Sequence, residues 1–496
     1  MKKIIIGISA LALLASCDAG YMYDAIDGYY GYENGKMAAE NGAIAPGEEE
    51  PGGGDRFDDI VENPFIQTAD QPVSTFSVDA DGASYAYMRR CIEDGMLPQA
   101  NAVRIEEFLN YFTFDYPDPQ DGSAVALNAE AGPCPWNTNH NLLRLGIKGK
   151  SLGSDEIPQA NFVFLIDVSG SMSTQDKLPL LKQGLLSMLE YMRKDDRVAI
   201  VTYASGEELL LQSTSVSNKS AIEKAIKKLA AGGSTNGSGG MRMAYEEAEK
   251  NFIQGANNRV IMGTDGDFNV GITGTDAICE FVQNYAKKGI YITICGFGRG
   301  NLNDSMMEKV SNSGNGTYEY IASEDDLTKV FVNERAKFIS VANDCKAQIT
   351  FNPEVVKSYR LIGYENRVLQ NDDFENDDVD AAEIGCGQTI TALYEIELAG
   401  GEGSAGKFDF RYKDSIGDAS KELSLDVPEV SAQASENLKF ASSLAAYGLW
   451  LRNSEYKGNA SVSMAKELAQ ESLGTDEFGY RNQYVKLLDQ AAKLQR

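Results

Sequence analysis

The residues best placed to do chemistry in this 496-residue chain are oxygen donors. Asp167-Val-Ser-Gly-Ser171 puts one carboxylate and two hydroxyls into a single tight turn. Such hard donors suit Mg²⁺ or Ca²⁺ and not zinc. Two further segments stand out: Gly232-Gly-Ser-Thr-Asn-Gly237, in a loop before a helix, and Thr264-Asp265-Gly266, at the end of a buried strand. Nitrogen and sulfur are poorly supplied by comparison. The chain has one histidine, His140, and seven cysteines with no Cys-x-x-Cys pair. That leaves almost no room for a zinc centre or a histidine-based triad. No carboxylate pair is recognisably placed for acid–base work, so a binding protein is expected and not an enzyme. A metal-assisted hydrolase is the competing reading.

Donors on separate loops can meet only if the strands before them end together. Phe162-Val-Phe-Leu-Ile166 is a continuous apolar run, as a strand buried on both faces requires, and it delivers Asp167 at its C-terminal end. Ligands of open parallel sheets bind at that end. Leu178, Leu181, Leu185, Leu189 and Met192 then mark one helix face. Residues 198–203, 260–264, 290–297 and 317–321 read as further strands, with 208–212 as a short edge strand. Helices are expected over 220–229, 241–252, 276–287 and 304–311. The alternation predicts an α/β fold over 160–335, a doubly wound, mostly parallel sheet.

The flanks read differently. Residues 57–150 predict a helical and β region, with helices over 83–94 and 102–112 and strands over 125–131 and 142–148. Ile105, Phe108, Leu109 and Phe112 supply an apolar stripe on the second helix. Residues 336–430 predict a β domain with strands over 345–351, 359–364, 389–398, 407–412 and 421–427. Residues 431–496 are expected to be helical, with Phe440, Leu444, Tyr447 and Leu451 on one face. The α/β domain is expected to be inserted in, or flanked by, a β-sandwich-like domain built from strands of both flanks. Trp136 and Trp450 read as core residues.

In this order and on this rhythm, the three oxygen-bearing segments resemble those of the von Willebrand factor A (VWA) family. The resemblance implies a metal-ion-dependent adhesion site in which Asp167, Ser169, Ser171, Thr235 and Asp265 surround a divalent ion, Mg²⁺ with Ca²⁺ or Mn²⁺ as alternatives. Few protein charges would touch the ion, leaving it electrophilic, so that an Asp or Glu carboxylate from a partner protein could replace one of its waters. Other readings are an ion that only staples the loops, an intact but idle site, or a chelatase-type subunit serving an ATPase. A narrower resemblance rests on four further segments: Phe76-Ser-Val-Asp-Ala-Asp-Gly-Ala-Ser-Tyr85, Val103-Arg-Ile-Glu-Glu-Phe-Leu-Asn-Tyr111, Gly298-Arg-Gly-Asn-Leu-Asn-Asp304 and Arg360-Leu-Ile-Gly-Tyr-Glu-Asn-Arg367. They are similar to the YfbK-like group of bacterial lipoproteins, from about residue 60 to the C-terminus.

Composition bounds the partners. Asp and Glu number 73 against 45 Lys and Arg, a formal charge of −28, which repels phosphate backbones and argues against nucleic acid. Lys2 and Lys3 precede an apolar run over 4–14 that is too short to span a membrane. Leu14-Ala15-Ser16-Cys17 resembles the bacterial lipobox, which implies a signal peptide over 1–17, lipidation of Cys17 and a lipid anchor to a membrane of the cell envelope. Residues 18–56 read as a flexible acidic, Tyr- and Gly-rich tether. Asp18 leaves the choice of inner or outer membrane open. Six cysteines remain, and spacing does not fix their pairing. Cys345 with Cys386 is one candidate, whereas Cys279 and Cys295 are expected to be free and buried. The acidic stretch 372–380 fails as an EF-hand, because a loop starting at Asp373 puts Asp378 in the glycine slot and Ile384 in the glutamate slot. Gly296-Phe-Gly-Arg-Gly300 lacks the Lys-Ser/Thr of a phosphate loop and reads as a turn.

Overall fold

The computed structural model describes residues 54–494, apart from 121, 154, 234–238, 267–273, 378 and 380. Cys17, the signal and tether segments up to residue 53, and Thr235 therefore lie outside the described residues.

The central sheet starts from the apolar run that ends in Asp167. That strand, β1 (Ala160–Asp167), is buried along its whole length. It is followed by α1 (Leu178–Tyr191), β2 (Arg197–Tyr203), β3 (Glu207–Ser215), α2 (Lys219–Lys228), α3 (Gly240–Lys250), β4 (Asn257–Thr264), α4 (Thr275–Ala286), β5 (Ile290–Phe297), α5 (Asp304–Ser313) and β6 (Thr317–Ile321). The order across the sheet is β6-β5-β4-β1-β2-β3. All neighbours are parallel except the edge strand β3, which runs antiparallel to β2. The winding reverses at β1, between β4 and β2, which is where open α/β sheets form their sites.

Alternation along β1 divides its side chains between two cores. Phe162, Phe164 and Ile166 join Leu181, Leu185 and Met188 of α1 and Ile222 and Ile226 of α2. Val163 and Leu165 join α3, α4 and α5 on the opposite face, in a cluster that continues into the helix Ala83–Glu93 and the C-terminal helices Glu436–Arg452, Val462–Gln470 and Tyr480–Ala491. Close approach of α1 depends on Gly263 in β4, where a Cβ would stand 2.4 Å from Leu181.

Two antiparallel sheets make up the rest. One has the order Ile66–Gln67, Val356–Ile362, Thr389–Leu398, Asn141–Gly149, Val125–Pro133. The other runs Val368–Leu369, Val73–Ser77, Ser340–Phe351, Gly406–Lys413, Lys421–Asp426. Each mixes strands from before and after the central domain, and they share one core that includes Phe76, Leu145, Ile349, Phe351 and Tyr394. The α/β domain is thus inserted into the sandwich, leaving it after Gly149 and returning at Ser340.

Several elements differ from the sequence expectation. The edge strand near 208–212 extends over nine residues, because β2 pairs with it from Glu207 to Ser215, with two shifts of register on the way. Val73–Ser77 forms a strand by pairing with Ser340–Phe351, a partner no local pattern announces. The helix expected over 102–112 is broken: Ala100–Ala102 is a 3₁₀ turn, Val103 and Arg104 are extended, and the helix proper is Ile105–Asn110. All six described cysteines are free, Cys345 and Cys386 included, and Cys279 is half-buried where a buried thiol was expected. Trp136 is buried, whereas Trp450 is only partly so.

Candidate functional site

Asp167 closes β1 with its side chain buried. Its Oδ1 accepts the Ser169 backbone N–H at 2.8 Å, and its Oδ2 accepts the Thr264 hydroxyl, from the end of β4, at 3.2 Å. Both carboxylate oxygens are thus oriented by neighbouring loops. The Ser169 and Ser171 hydroxyls lie 2.9 Å apart, and Ser171 donates to Asp265 Oδ1 at 3.1 Å. The loop after α2 is tied to the same turn, since Gly170 N–H donates to the Gly233 carbonyl and Gly232 N–H to the Val168 carbonyl. Asp167, Ser169, Ser171 and Asp265 therefore meet at the C-terminal edge of the sheet, while Thr235 lies outside the described residues. Burial pushes the Asp167 carboxyl up, and the nearby Asp265 charge adds to the effect. Ser169 and Asp265 are buried and Ser171 is exposed, so the donor set opens to solvent on one side. Two carboxylates and two hydroxyls without nitrogen or sulfur fit a hard divalent cation, and these four residues would hold it.

One participant was missed from the sequence. Lys177, the residue before α1, places Nζ 2.7 Å from Asp265 Oδ2 and 3.1 Å from the Ser171 carbonyl oxygen. A lysine six residues after the serine-rich turn was the available signal, but nothing local pointed it at Asp265.

A second gathering of carboxylates lies between the inserted domain and the sandwich. Oxygens of Asp79, Glu107 and Glu308, all buried, lie within 4.8 Å of one another. Two guanidinium groups already stand among them. Arg104 bonds Glu107, Asp304 at 2.5 Å and Glu308 at 3.5 Å, and Arg367 reaches Asp79 at 3.2 Å and Asp81 at 3.9 Å. Burial raises the carboxyls of Asp81, Glu107 and Glu308. With fixed cations in place, this is an ionic junction and not a metal centre. The junction draws on all four segments of the narrower resemblance: Asp79 and Asp81, Arg104 and Glu107, Asp304, and Arg367 come from one segment each.

Two other sequence candidates have protein partners among the described residues. Gly296 and Phe297 close β5 and the chain bends only beyond them, where the Gly300 and Leu302 N–H groups both donate to the Asp55 carboxylate, at 2.6 and 3.0 Å, so a protein group fills the cradle. In the acidic stretch, Asp377 bonds Arg411 at 2.9 Å and Ser420 at 2.5 Å, while Asp378 and Asp380 lie outside the described residues.

Comparison with known proteins shows which families the segments of the chain resemble. A profile described as von Willebrand factor matches residues 52–144, and the von Willebrand factor type A domain matches 161–333. A profile for the C-terminal part of the uncharacterized protein YfbK matches 336–409 and 402–494. The uncharacterized protein YfbK of Escherichia coli (strain K12) is 40% identical over 466 residues, covering 88% of this chain and 81% of that one. Inter-alpha-trypsin inhibitor heavy chain H3 of Homo sapiens is 31% identical over 175 residues, 34% of this chain and only 19% of its own length. The solved structure of a von Willebrand factor type A protein from Catenulispora acidiphila aligns with a TM-score of 0.43 at 15% identity, over 74% of this chain and 90% of that chain. VWA domains are commonly protein-interaction modules. With the domain match spanning the converging loops and a relative aligned along most of both chains, this chain belongs to the YfbK family and carries a VWA domain at its centre.

Proposed function

We propose that this chain is a VWA module of the cell envelope that binds a partner protein through a divalent cation. Asp167, Ser169, Ser171 and Asp265, with Thr235 from the neighbouring loop, hold the ion, Mg²⁺ in the first instance and Ca²⁺ or Mn²⁺ as alternatives. The observation that carries this reading is the meeting of oxygen donors from two strand ends at the sheet's switch point, with Ser171 open to solvent. The bound ion supplies an electrophile that an Asp or Glu carboxylate of the partner can complete. The chain's own residues orient the donors and keep Asp167 out of bulk water.

The role is adhesion or scaffolding and not catalysis. The one histidine supports that reading by its position: His140 Nδ1 lies 2.6 Å from Glu395 in the sandwich, where Glu395 also bonds Trp136 and Arg360, so it serves the other domain. Attachment runs through a lipid on Cys17. Among the described residues no helix is long and apolar enough to cross a membrane. The net charge of −28 speaks against a nucleic-acid partner.

A crosslinking pull-down from native membranes, in Mg²⁺ and in EDTA, tests this reading. Partners captured in Mg²⁺ should disappear in EDTA and with Asp167→Ala. Capture indifferent to both would overturn the cation-mediated reading. Cys17→Ser should move the chain from the membrane to the soluble fraction, and its retention at the membrane would overturn the lipid anchor.

A further inference from the structure

We infer that Lys177 is the internal counter-ion of the VWA site, so that loading a divalent cation is an exchange in which the ammonium leaves Asp265 as the ion arrives. This rests on the proposed reading of the site as a cation site.

Three observations carry it. The first is the contact itself: Nζ sits 2.7 Å from Asp265 Oδ2 and 3.1 Å from the Ser171 carbonyl, within the group of atoms that would surround an ion. The second is how the side chain gets there. Its backbone is fixed at the head of α1, with the carbonyl accepting Leu181 N–H at 2.8 Å. Its stem crosses Gly298, which has φ +75°, and a Cβ there would stand 2.2 Å from Lys177 Cε. The slot for the lysine is thus cut by a glycine in the loop after β5. The third is the state of the neighbouring cations. Arg90 is engaged by Asp94 and Asp176, and Arg299 by Asp94, so their charges are committed elsewhere. Among the described residues, Lys177 is the cation that contacts the donor set.

Two carboxylates and one ammonium leave the site with a net charge of −1, and a divalent ion cannot share Asp265 with the ammonium without strong repulsion. A lysine suits such an exchange. It is a point charge on a flexible four-carbon stem, whereas an arginine fork would grip the carboxylate with two bonds. The consequence for function is coupling. Lys177 weakens the ion alone, and a partner's carboxylate offers both the ligand the ion lacks and a counter-charge for the displaced ammonium. Ion and acidic partner are thereby favoured together over the ion by itself.

Titration calorimetry of the full chain with MgCl₂ or MnCl₂ alone tests the exchange. Lys177→Met keeps the apolar stem and removes the charge, and it should bind the ion about tenfold or more tighter than the natural chain. Lys177→Arg should bind more weakly than the natural chain. If Lys177→Met lowers stability and clouds the comparison, Lys177→Gln should show the same gain. Equal or weaker binding by both neutral variants, with the natural chain still binding, would overturn the inference and leave the cation site standing. No binding by any of them would overturn both. Binding that appears only when the lysine is neutralised would support the exchange in its strongest form.

Discussion

The carboxylates at the edge of the VWA sheet and those at the junction with the sandwich differ in what stands opposite them. At the edge, Asp167 and Asp265 face three hydroxyls, of Ser169, Ser171 and Thr264, and one lysine, and Ser171 is open to solvent. At the junction, Asp79, Asp81, Glu107, Asp304 and Glu308 face Arg104 and Arg367, and every member is buried. Arginine stays charged at any working pH, and its planar fork can hold carboxylates from different segments at once. Arg104 does so, joining Glu107 in its own segment to Asp304 and Glu308 on α5. The junction therefore carries permanent compensation and fixes the inserted domain to its host. The edge carries compensation on a flexible stem, which can be removed. The same side-chain type is structural in one place and, in the proposed reading of the edge, a ligand for an ion in the other.

The largest effect that could break this contrast is expected at Arg104. Arg104→Met would leave Glu107, Asp304 and Glu308 without their main partner, and loss of one member of a buried ionic set costs about 3–5 kcal/mol. Urea unfolding should show a loss of that size, equal in Mg²⁺ and in EDTA. A loss below about 1 kcal/mol would mean that the junction is not held by its arginines.

Next in size is a pH effect beside the junction, at Glu106, which is buried near Glu365 and Arg452. Burial lifts the Glu106 carboxyl to about 7, with the Glu365 charge pushing in the same direction. A carboxyl raised on folding contributes stability below its unfolded value, and that contribution is lost as pH climbs through the folded value. Unfolding measured from pH 5 to pH 8 should therefore show a decline that Glu106→Gln flattens. The variant should gain up to about 3 kcal/mol over the natural chain at pH 8 and little at pH 5. A parallel pH profile in the two chains would remove Glu106 from the account.

At the edge site the expected change is in the response to ions. Mg²⁺ at 100 times its dissociation constant should stabilise the natural chain by about 2.7 kcal/mol, through binding to the folded state alone. Asp167→Asn keeps an acceptor for the Ser169 N–H but lacks the charge, and thermal melting with and without Mg²⁺ should show that gain lost. An undiminished gain would place the ion elsewhere.

What could be read from the residues follows from how local each signal is. Phe162 to Ile166 announced a doubly buried strand because every position is apolar, and Asp167, Ser169 and Ser171 stand together in one turn. The strand Val73–Ser77 was not legible, since five mixed residues become a strand only by pairing across the inserted domain. The break before Ile105 was hidden for a related reason. The apolar stripe through Phe108, Leu109 and Phe112 continues at helical spacing, but Arg104 is extended where its guanidinium meets Asp304, 200 residues away. Lys177 with Asp265, separated by 88 residues, belongs to the same class. Long-range partners, whether a strand across the sheet or an ion pair, leave no period in the sequence.

The smallest effect is expected at Ser171, and it sharpens the contrast more than its size suggests. The residue is exposed and its hydroxyl donates to Asp265 Oδ1 at 3.1 Å, while Lys177 holds the other oxygen of that carboxylate. Ser171→Ala therefore leaves Asp265 with its charged partner, and stability without metal should change by less than about 0.5 kcal/mol. Ion affinity should nevertheless fall by about tenfold, because a hard cation loses one of its few protein oxygens. The buried Ser169 is the control: Ser169→Ala should lower both quantities, since it opens a gap beneath the turn as well as removing a donor. If Ser171→Ala instead cost as much metal-free stability as Ser169→Ala, the hydroxyl would be part of the fold's own bonding. The edge would then resemble the junction, and the distinction between a permanent staple and a site kept ready for an ion would fail at its most exposed atom.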